Sequence, residues 1–316
     1  SLIEDFAPTK YAEDFDNVGL LVGDSSAEVS GALITLDTLE ATVDEAISKN
    51  CNLIISFHPI IFSGLKKLTG KNYVERAVLK AIKNDIAIYA IHTALDNQYK
   101  GVNDMICEKI GLINREILIP KKDSIKKLTT FVPIKEADKV RQALFDAGAG
   151  SIGNYDHCSF NSTGQGSFKG NADSNPVIGK KGQVHFEEEL QIGITYAAHL
   201  ESAILKNLFT AHPYEEVAYE ISLLKNPNQH LGMGMIGNLE VETDEESFLN
   251  KLKKTFKTGC VRHSVLLDKP ISRVAVLGGS GALAIENAKA AGADIYITAD
   301  LKYHDFYKAE QKLVLA

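Results

Sequence analysis

Asn52-Leu53-Ile54-Ile55-Ser56-Phe57-His58-Pro59 is a short, almost continuous apolar run that closes on an imidazole and a proline. A run of this length, apolar throughout rather than at alternate positions, reads as a strand buried on both faces. Gly31-Ala-Leu-Ile-Thr-Leu-Asp37 before it and Ile86-Ala-Ile-Tyr-Ala-Ile91 after it have the same character. Between these runs, residues 40–50 carry Val43, Ala46 and Ile47 at helical spacing. Residues 73–85 set Val74, Ala77, Val78, Ala81 and Ile82 on one helical face, and another helix is predicted over 101–110. Apolar strands alternating with amphipathic helices predict a mainly parallel, doubly wound sheet with helices on both faces.

The pattern breaks at Pro120-Lys-Lys-Asp-Ser-Ile-Lys-Lys127, a charged connector. Beyond it the order is strand 128–133, helix 136–147, a glycine-rich strand-prone stretch 148–170, strand 184–195, helix 199–211 and strand 216–224. That β-α-β-β-α-β order is ferredoxin-like. Lys225-Asn-Pro-Asn-Gln-His230 reads as a turn-rich exit. Alternation then resumes with strand 273–278, helix 282–291, strand 293–299, helix 303–310 and the start of a strand at 312–316. The expectation is an outer α/β domain of residues 1–123 and 228–316, interrupted by an inserted α+β domain of residues 124–227.

Bulk properties exclude several classes. A length of 316 residues exceeds one ordinary core. A net charge of −7 disfavours non-specific nucleic-acid binding. No run is long and apolar enough to span a bilayer, and no signal-peptide pattern stands at Ser1. Cys51, Cys107, Cys158 and Cys260 are scattered without a Cys-x-x-Cys pair, which argues against thiolate zinc and fits a reducing cytoplasm.

Open α/β sheets gather function beyond the carboxyl ends of their strands. His58 follows the second strand, His92 and Asp96 follow the third, and Asp300, Tyr303 and His304 follow Ile295-Tyr-Ile-Thr298. Imidazole and carboxylate meeting at one edge make a divalent-metal site for zinc, iron or manganese. His58 and Asp96 are the expected ligands, and His92 and His304 are expected to line the pocket or support the ligands. His212-Pro-Tyr-Glu-Glu216 is expected to shape a turn, and Gly278-Gly-Ser-Gly281 to turn tightly rather than cradle a phosphate, because the dinucleotide fingerprint is incomplete.

These stretches together resemble the NIF-three-like family, the GTP cyclohydrolase type-2 homologues. Ala12-Glu-Asp-Phe-Asp-Asn-Val-Gly-Leu-Leu-Val-Gly-Asp24, His58-Pro-Ile-Ile-Phe62, His92-Thr-Ala-Leu-Asp96, Gly278-Gly-Ser-Gly281 and 292–304 carry the likeness. Gly148-Ala-Gly-Ser-Ile-Gly-Asn-Tyr155 and Ala211-His-Pro-Tyr-Glu-Glu216 resemble the PII-like or CutA-like insert of longer bacterial members. The resemblance implies a toroidal homohexamer with two metal ions per subunit. It assigns His58 and Asp96 as metal ligands. The family's His-His-Pro motif is Phe57-His58-Pro59 here, so one ligand is replaced by phenyl. Its Gly-His-x-x-x-Glu motif would follow 312–316. The second metal site is therefore expected to be weakened.

Two function classes follow. One is a metal-dependent hydrolase acting on a nucleotide or related small molecule. The other is a non-catalytic metal-binding scaffold or sensor whose insert binds a ligand or partner. A dinucleotide oxidoreductase is disfavoured by the glycine pattern.

Overall fold

The computed structural model describes residues 2–316. The chain divides into two compact units, one running to Pro120 and resuming over Gln229–Ala316, the other spanning Lys121–Asn228.

The outer unit begins with α1 (Leu2–Phe6) and β1 (Gly19–Val22), followed by β2 (Ala32–Thr35), α2 (Glu40–Ser48) and β3 (Leu53–Ser56). Next come α3 (Tyr73–Lys83), β4 (Ala87–Ala90), α4 (His92–Asn97), α5 (Val102–Ile110) and β5 (Leu112–Lys121). β1 to β4 form one sheet in the order β1-β4-β3-β2. β2, β3 and β4 are parallel, and β1 is antiparallel to β4. Ile54 and Ile88 of the central strands bury against Val43 and Ala46 of α2 and Ala77, Val78 and Ala81 of α3. α3 starts where the Asn72 side chain accepts the Glu75 N–H, and it ends with Lys80 and Lys83 in its last turn, both of which favour a helix there.

The second unit runs β6 (Ile125–Pro133), α6 (Ala137–Asp146), β7 (Phe160–Phe168), β8 (His185–Ala197), α7 (Glu201–Ala211) and β9 (Tyr219–Leu224). Its sheet, β7-β8-β6-β9, is antiparallel throughout. Leu128, Val132, Ile192 and Ile194 point to one face and pack on Val140, Leu144, Ile204 and Leu208 of the helices.

The chain returns through β10 (Asn228–Thr243), α8 (Glu245–Thr255), β11 (Ile271–Leu277), α9 (Ile285–Ala290), β12 (Ile295–Thr298) and β13 (Val314–Leu315). These strands and β5 form a second outer sheet, β13-β12-β11-β10-β5. Along β11, Val274 and Val276 enter a cluster with Phe248 and Leu252 of α8, while Ala275 and Leu277 enter another with Ile285 and Ala288 of α9. A strand segment with both faces buried carries no polar alternation, which is why Val274, Ala275, Val276 and Leu277 are apolar without interruption.

Three expectations are corrected. The outer segments build two sheets, not one doubly wound sheet, and both are mixed because β1 and β10 run antiparallel to their neighbours. Residues 228–230, read as part of a turn-rich exit, lie inside the long strand β10. Tyr303–Ala309 is a 3-10 helix, not an α-helix.

Candidate functional site

Parallel register builds the site. Thr35 of β2 stands beside Ser56 of β3, and Ser56 beside Ala90 of β4. The ladder continues past the strands. Phe57 N–H donates to Thr35 O at 3.0 Å and His58 N–H to Leu36 O at 3.0 Å. His92 N–H likewise donates to Phe57 O at 2.9 Å. Advancing each strand by the same two residues sets Asp37, His58 and His92 in one row at the carboxyl edge. The His58 and His92 rings lie 5.4 Å apart between centroids.

Each imidazole is backed by a carboxylate. His58 Nδ1 lies 2.8 Å from Asp37 Oδ1, and His92 Nδ1 lies 2.9 Å from Asp16 Oδ1. With Nδ1–H donating to a carboxylate, Nε2 presents its lone pair, an arrangement that orients and strengthens a metal-binding imidazole. Asp16 reaches His92 because β1 runs antiparallel to β4, with Gly19 opposite Ala90, so residues just before β1 face those just after β4. Burial raises the Asp16 carboxyl, but hydrogen bonds from His92, Thr93 and the Asn17 N–H outweigh it and hold it below the usual carboxylate range. His92 has a φ of 23°, a left-handed backbone that a side chain adopts at a cost of order 1–3 kcal/mol and that clusters at functional sites.

Asp96 lies one helical turn beyond His92 in α4, on the same face. Burial pushes its carboxyl up to about 6, while His92 lowers it, Asp16 raises it and His58 lowers it. His58, His92, Asp16 and Asp96 thus share one electrostatic environment. Phe57 fills the neighbouring corner, with its ring 5.0 Å from His58 and 5.4 Å from His92.

Two imidazole lone pairs and one carboxylate are N and O donors suited to zinc, iron or manganese, and Phe57 adds none. Among the described residues, no group of three or more His, Cys, Asp or Glu side chains is placed so that it could hold a metal ion. Closing three donors on one ion therefore requires side-chain rotation.

His304 packs between Tyr303 and Tyr307, with ring centroids at 5.1 and 5.9 Å, on the 3-10 helix after β12. Asp300 turns back on the glycine loop, its N–H donating to Gly279 O at 3.1 Å. That loop folds onto the neighbouring strand β12. Gly281 N–H donates to Thr298 Oγ1, and Tyr296 Oη–H donates to Gly281 O at 2.8 Å. His212 shapes a turn in the second unit, as its sequence suggested, with Nε2 on Phe131 O and Nδ1 accepting from Tyr214 N–H. Sequence reasoning missed Asp16 and Asp37. Asp37 closes an apolar strand just as His58 does, and that shared position was the available signal.

A two-unit α/β protein with a carboxylate-backed imidazole row on an outer-unit sheet edge is the class this geometry defines. The chain belongs to the Duf34/NIF3 (NGG1p interacting factor 3) family, whose model matches residues 1–316. The "GTP cyclohydrolase 1 type 2 homolog" of Bacillus subtilis (strain 168) is 40% identical over 304 residues, covering 96% of this chain and 82% of the relative. The crystal structure of a Bacillus cereus protein related to NIF3 matches with a TM-score of 0.85 at 41% identity, over 99% of this chain and 85% of that one. Staphylococcus aureus protein SA1388 matches with a TM-score of 0.75 at 31% identity, over 99% and 84%.

Proposed function

We propose that the outer unit is a metal-dependent hydrolase acting on a nucleotide or related small molecule. The observation that carries this reading is the row of His58 and His92, each with its Nε2 freed by a carboxylate on Nδ1. His58 and Asp96 would hold one divalent ion, zinc, iron or manganese, with His92 beside them. Such an ion, when bound, lowers the pKa of a coordinated water and supplies a nucleophile at neutral pH. Asp37 and Asp16 fix the ring orientations. Asp96, pushed up to about 6 by burial, is a carboxyl that a bound cation would return to its ionised form. Phe57 excludes water from the corner where the family's second ion would sit, so one ion per subunit is the expected load. His304, after β12 of the second outer sheet, would line the approach to the pocket.

The relatives' name, GTP cyclohydrolase 1 type 2 homolog, suggests GTP as the first substrate to try. Ile34 and Leu36, 79% and 59% exposed at the edge of the first sheet, support assembly of copies into the hexamer that the family resemblance implies. The βαββαβ order of the second unit supports a PII-like insert. No helix among the described residues is long and apolar enough to cross a membrane, and all four cysteines are free, which supports a cytoplasmic setting.

The test is metal analysis and GTP turnover of the whole chain after loading with zinc, manganese or iron(II). About one ion per chain is expected, with its loss in His58→Ala and Asp96→Ala together with any turnover. A metal load unchanged in both variants would sink the reading. A load of about one ion with no turnover would favour the scaffold or sensor function, to which Phe57 already points.

A further inference from the structure

The second unit holds a cleft of about 820 Å³ that the outer-unit reading does not use. It lies on the sheet face opposite the helices. Along β8, Leu190, Ile192 and Ile194 bury under α6 and α7, so Glu189 and Gln191 point to the other side. Phe131 of β6, Phe168 of β7 and Tyr214 supply aromatic walls, and the Phe168 and Tyr214 rings lie 5.7 Å apart.

Glu189 is the centre of this cleft. It is 7% exposed, an uncommon position for an ionisable side chain. Its Oε1 accepts the Tyr214 Oη–H at 2.8 Å. Its Oε2 accepts no hydrogen bond and meets no Lys, Arg or His within ion-pair distance among the described residues. Oε2 lies over Gly166, where a Cβ would stand 2.1 Å from it, and Gly164 opposite Glu189 has open space on its Cβ side. Two glycines in β7 thus leave the floor open around a carboxylate.

The surrounding groups do not neutralise it. His212 lies close enough for Glu189 to raise its pKa, but burial dominates and lowers it, and both ring nitrogens are used by Phe131 O and Tyr214 N–H. That ring stays neutral and serves to hold Tyr214 against Glu189. The rim adds Asp173, Glu215 and Glu216, against one cation, the exposed Lys169. Glu189 Oε2 opens onto the cleft without a counter-charge, and an arriving cation pairs with it directly. Aromatic faces beside it add cation–π attraction and stack on a flat or extended body.

We propose that this cleft binds a small organic cation, carrying an ammonium or guanidinium group that Glu189 Oε2 receives and an apolar or planar body held by Phe131, Phe168 and Tyr214. Nothing in it depends on the metal row of the outer unit.

Agmatine, which carries both cationic groups, is the probe, titrated calorimetrically into the whole chain with succinate and magnesium chloride as controls. Saturable binding of one agmatine per chain is expected, with none of succinate. Glu189→Gln is expected to weaken agmatine about tenfold or more, since a hydrogen bond to a charged group is lost. Phe168→Leu keeps the carboxylate, removes an aromatic wall of the cleft, and is expected to weaken binding about two- to fivefold. It carries the test alone if circular dichroism shows that Glu189→Gln does not fold, and unchanged affinity in it then overturns the proposal. So does the absence of agmatine binding to the wild-type chain, or equal binding by Glu189→Gln. Magnesium binding lost in Glu189→Gln while agmatine stays silent would make this a metal site instead. A change in assembly mass on Glu189→Gln without agmatine, seen by light scattering, would mean that a second copy fills the cleft, which also overturns it.

Discussion

The residues that matter most at the row are those whose chemistry is set by one atom. Phe57 packs beside both imidazoles and brings no lone pair. Phe57→His restores a nitrogen donor at that corner, and the expected outcome is a rise from about one to about two bound zinc ions per chain, measured on the dialysed protein. A Phe57→Leu control should stay at about one. An unchanged load in Phe57→His would mean that the second site fails for reasons beyond residue 57. Gly281 shows a different constraint. A Cβ there would lie 2.3 Å from Tyr296 Oη and 2.4 Å from Thr298 Oγ1, both on a strand that cannot easily give way. Gly281→Ala should cost about 1–3 kcal/mol by overpacking, read as a lowered denaturation midpoint. Equal midpoints would show that the loop relaxes freely. At this scale His58 and Asp96 were legible as strand-end residues of metal-binding type. Asp16 was not legible as the partner of His92, because the antiparallel return of β1 that joins them leaves no local mark.

At the scale of elements, the entry into α3 is organised by one carboxylate. Glu75 Oε2 accepts Thr69 N–H at 2.8 Å, Thr69 Oγ1–H at 2.8 Å and Lys71 N–H at 3.1 Å. These bonds, the Thr69 N–H first, hold the Glu75 carboxyl at about 2, below its ordinary 4.5. A depressed carboxyl stabilises the fold fully above its unfolded pKa, and the contribution is lost as pH falls through the folded one. Glu75→Gln should therefore melt below the wild-type chain at about pH 6, and the gap should narrow from about pH 4.5 downwards. A gap of the same size at about pH 6 and pH 3 would refute the assignment. Elements themselves were largely readable. The strands at Leu53–Ser56 and Ala87–Ala90 and the helix Tyr73–Lys83 follow from apolar runs and 3.6-residue spacing. β10 was not readable at its start, because Asn-Pro-Asn and the glycines after it carry turn chemistry. Pairing with β11 begins only at Met235, past that stretch. Periodicity also fixes which face a residue takes but not which strands pair, so one sheet was expected where there are two.

At the scale of the whole molecule, the outer unit closes across the point where the chain leaves it. β5 and β10 are hydrogen-bonded neighbours in the second outer sheet. Gly237 approaches Leu112 and Ile113, while Gly234 approaches Leu118, so the two strands run in opposite directions. The end of β5 at Lys121 and the start of β10 at Asn228 are therefore at the same end of the pair. A hairpin geometry of that kind accepts a two-residue turn of Asn-Gly type. The hydrophobic cluster that unites Leu112 and Ile117 of β5 with Met235, Phe248 and Val274 lies wholly within the outer unit, and removing residues 121–228 deletes none of it. A shorter connection also lowers the entropy cost of bringing β5 and β10 together. Joining Pro120 to Gln229 through Asn-Gly should thus give a chain that unfolds in one cooperative thermal transition and keeps its metal load. The row of His58, His92 and Asp96 stands on the other outer sheet and depends only on β1 to β4 and α4. A broad, non-cooperative melt of the joined chain would mean that the outer unit needs the second unit to fold. A cooperative melt with the metal lost would mean that the row needs it to bind.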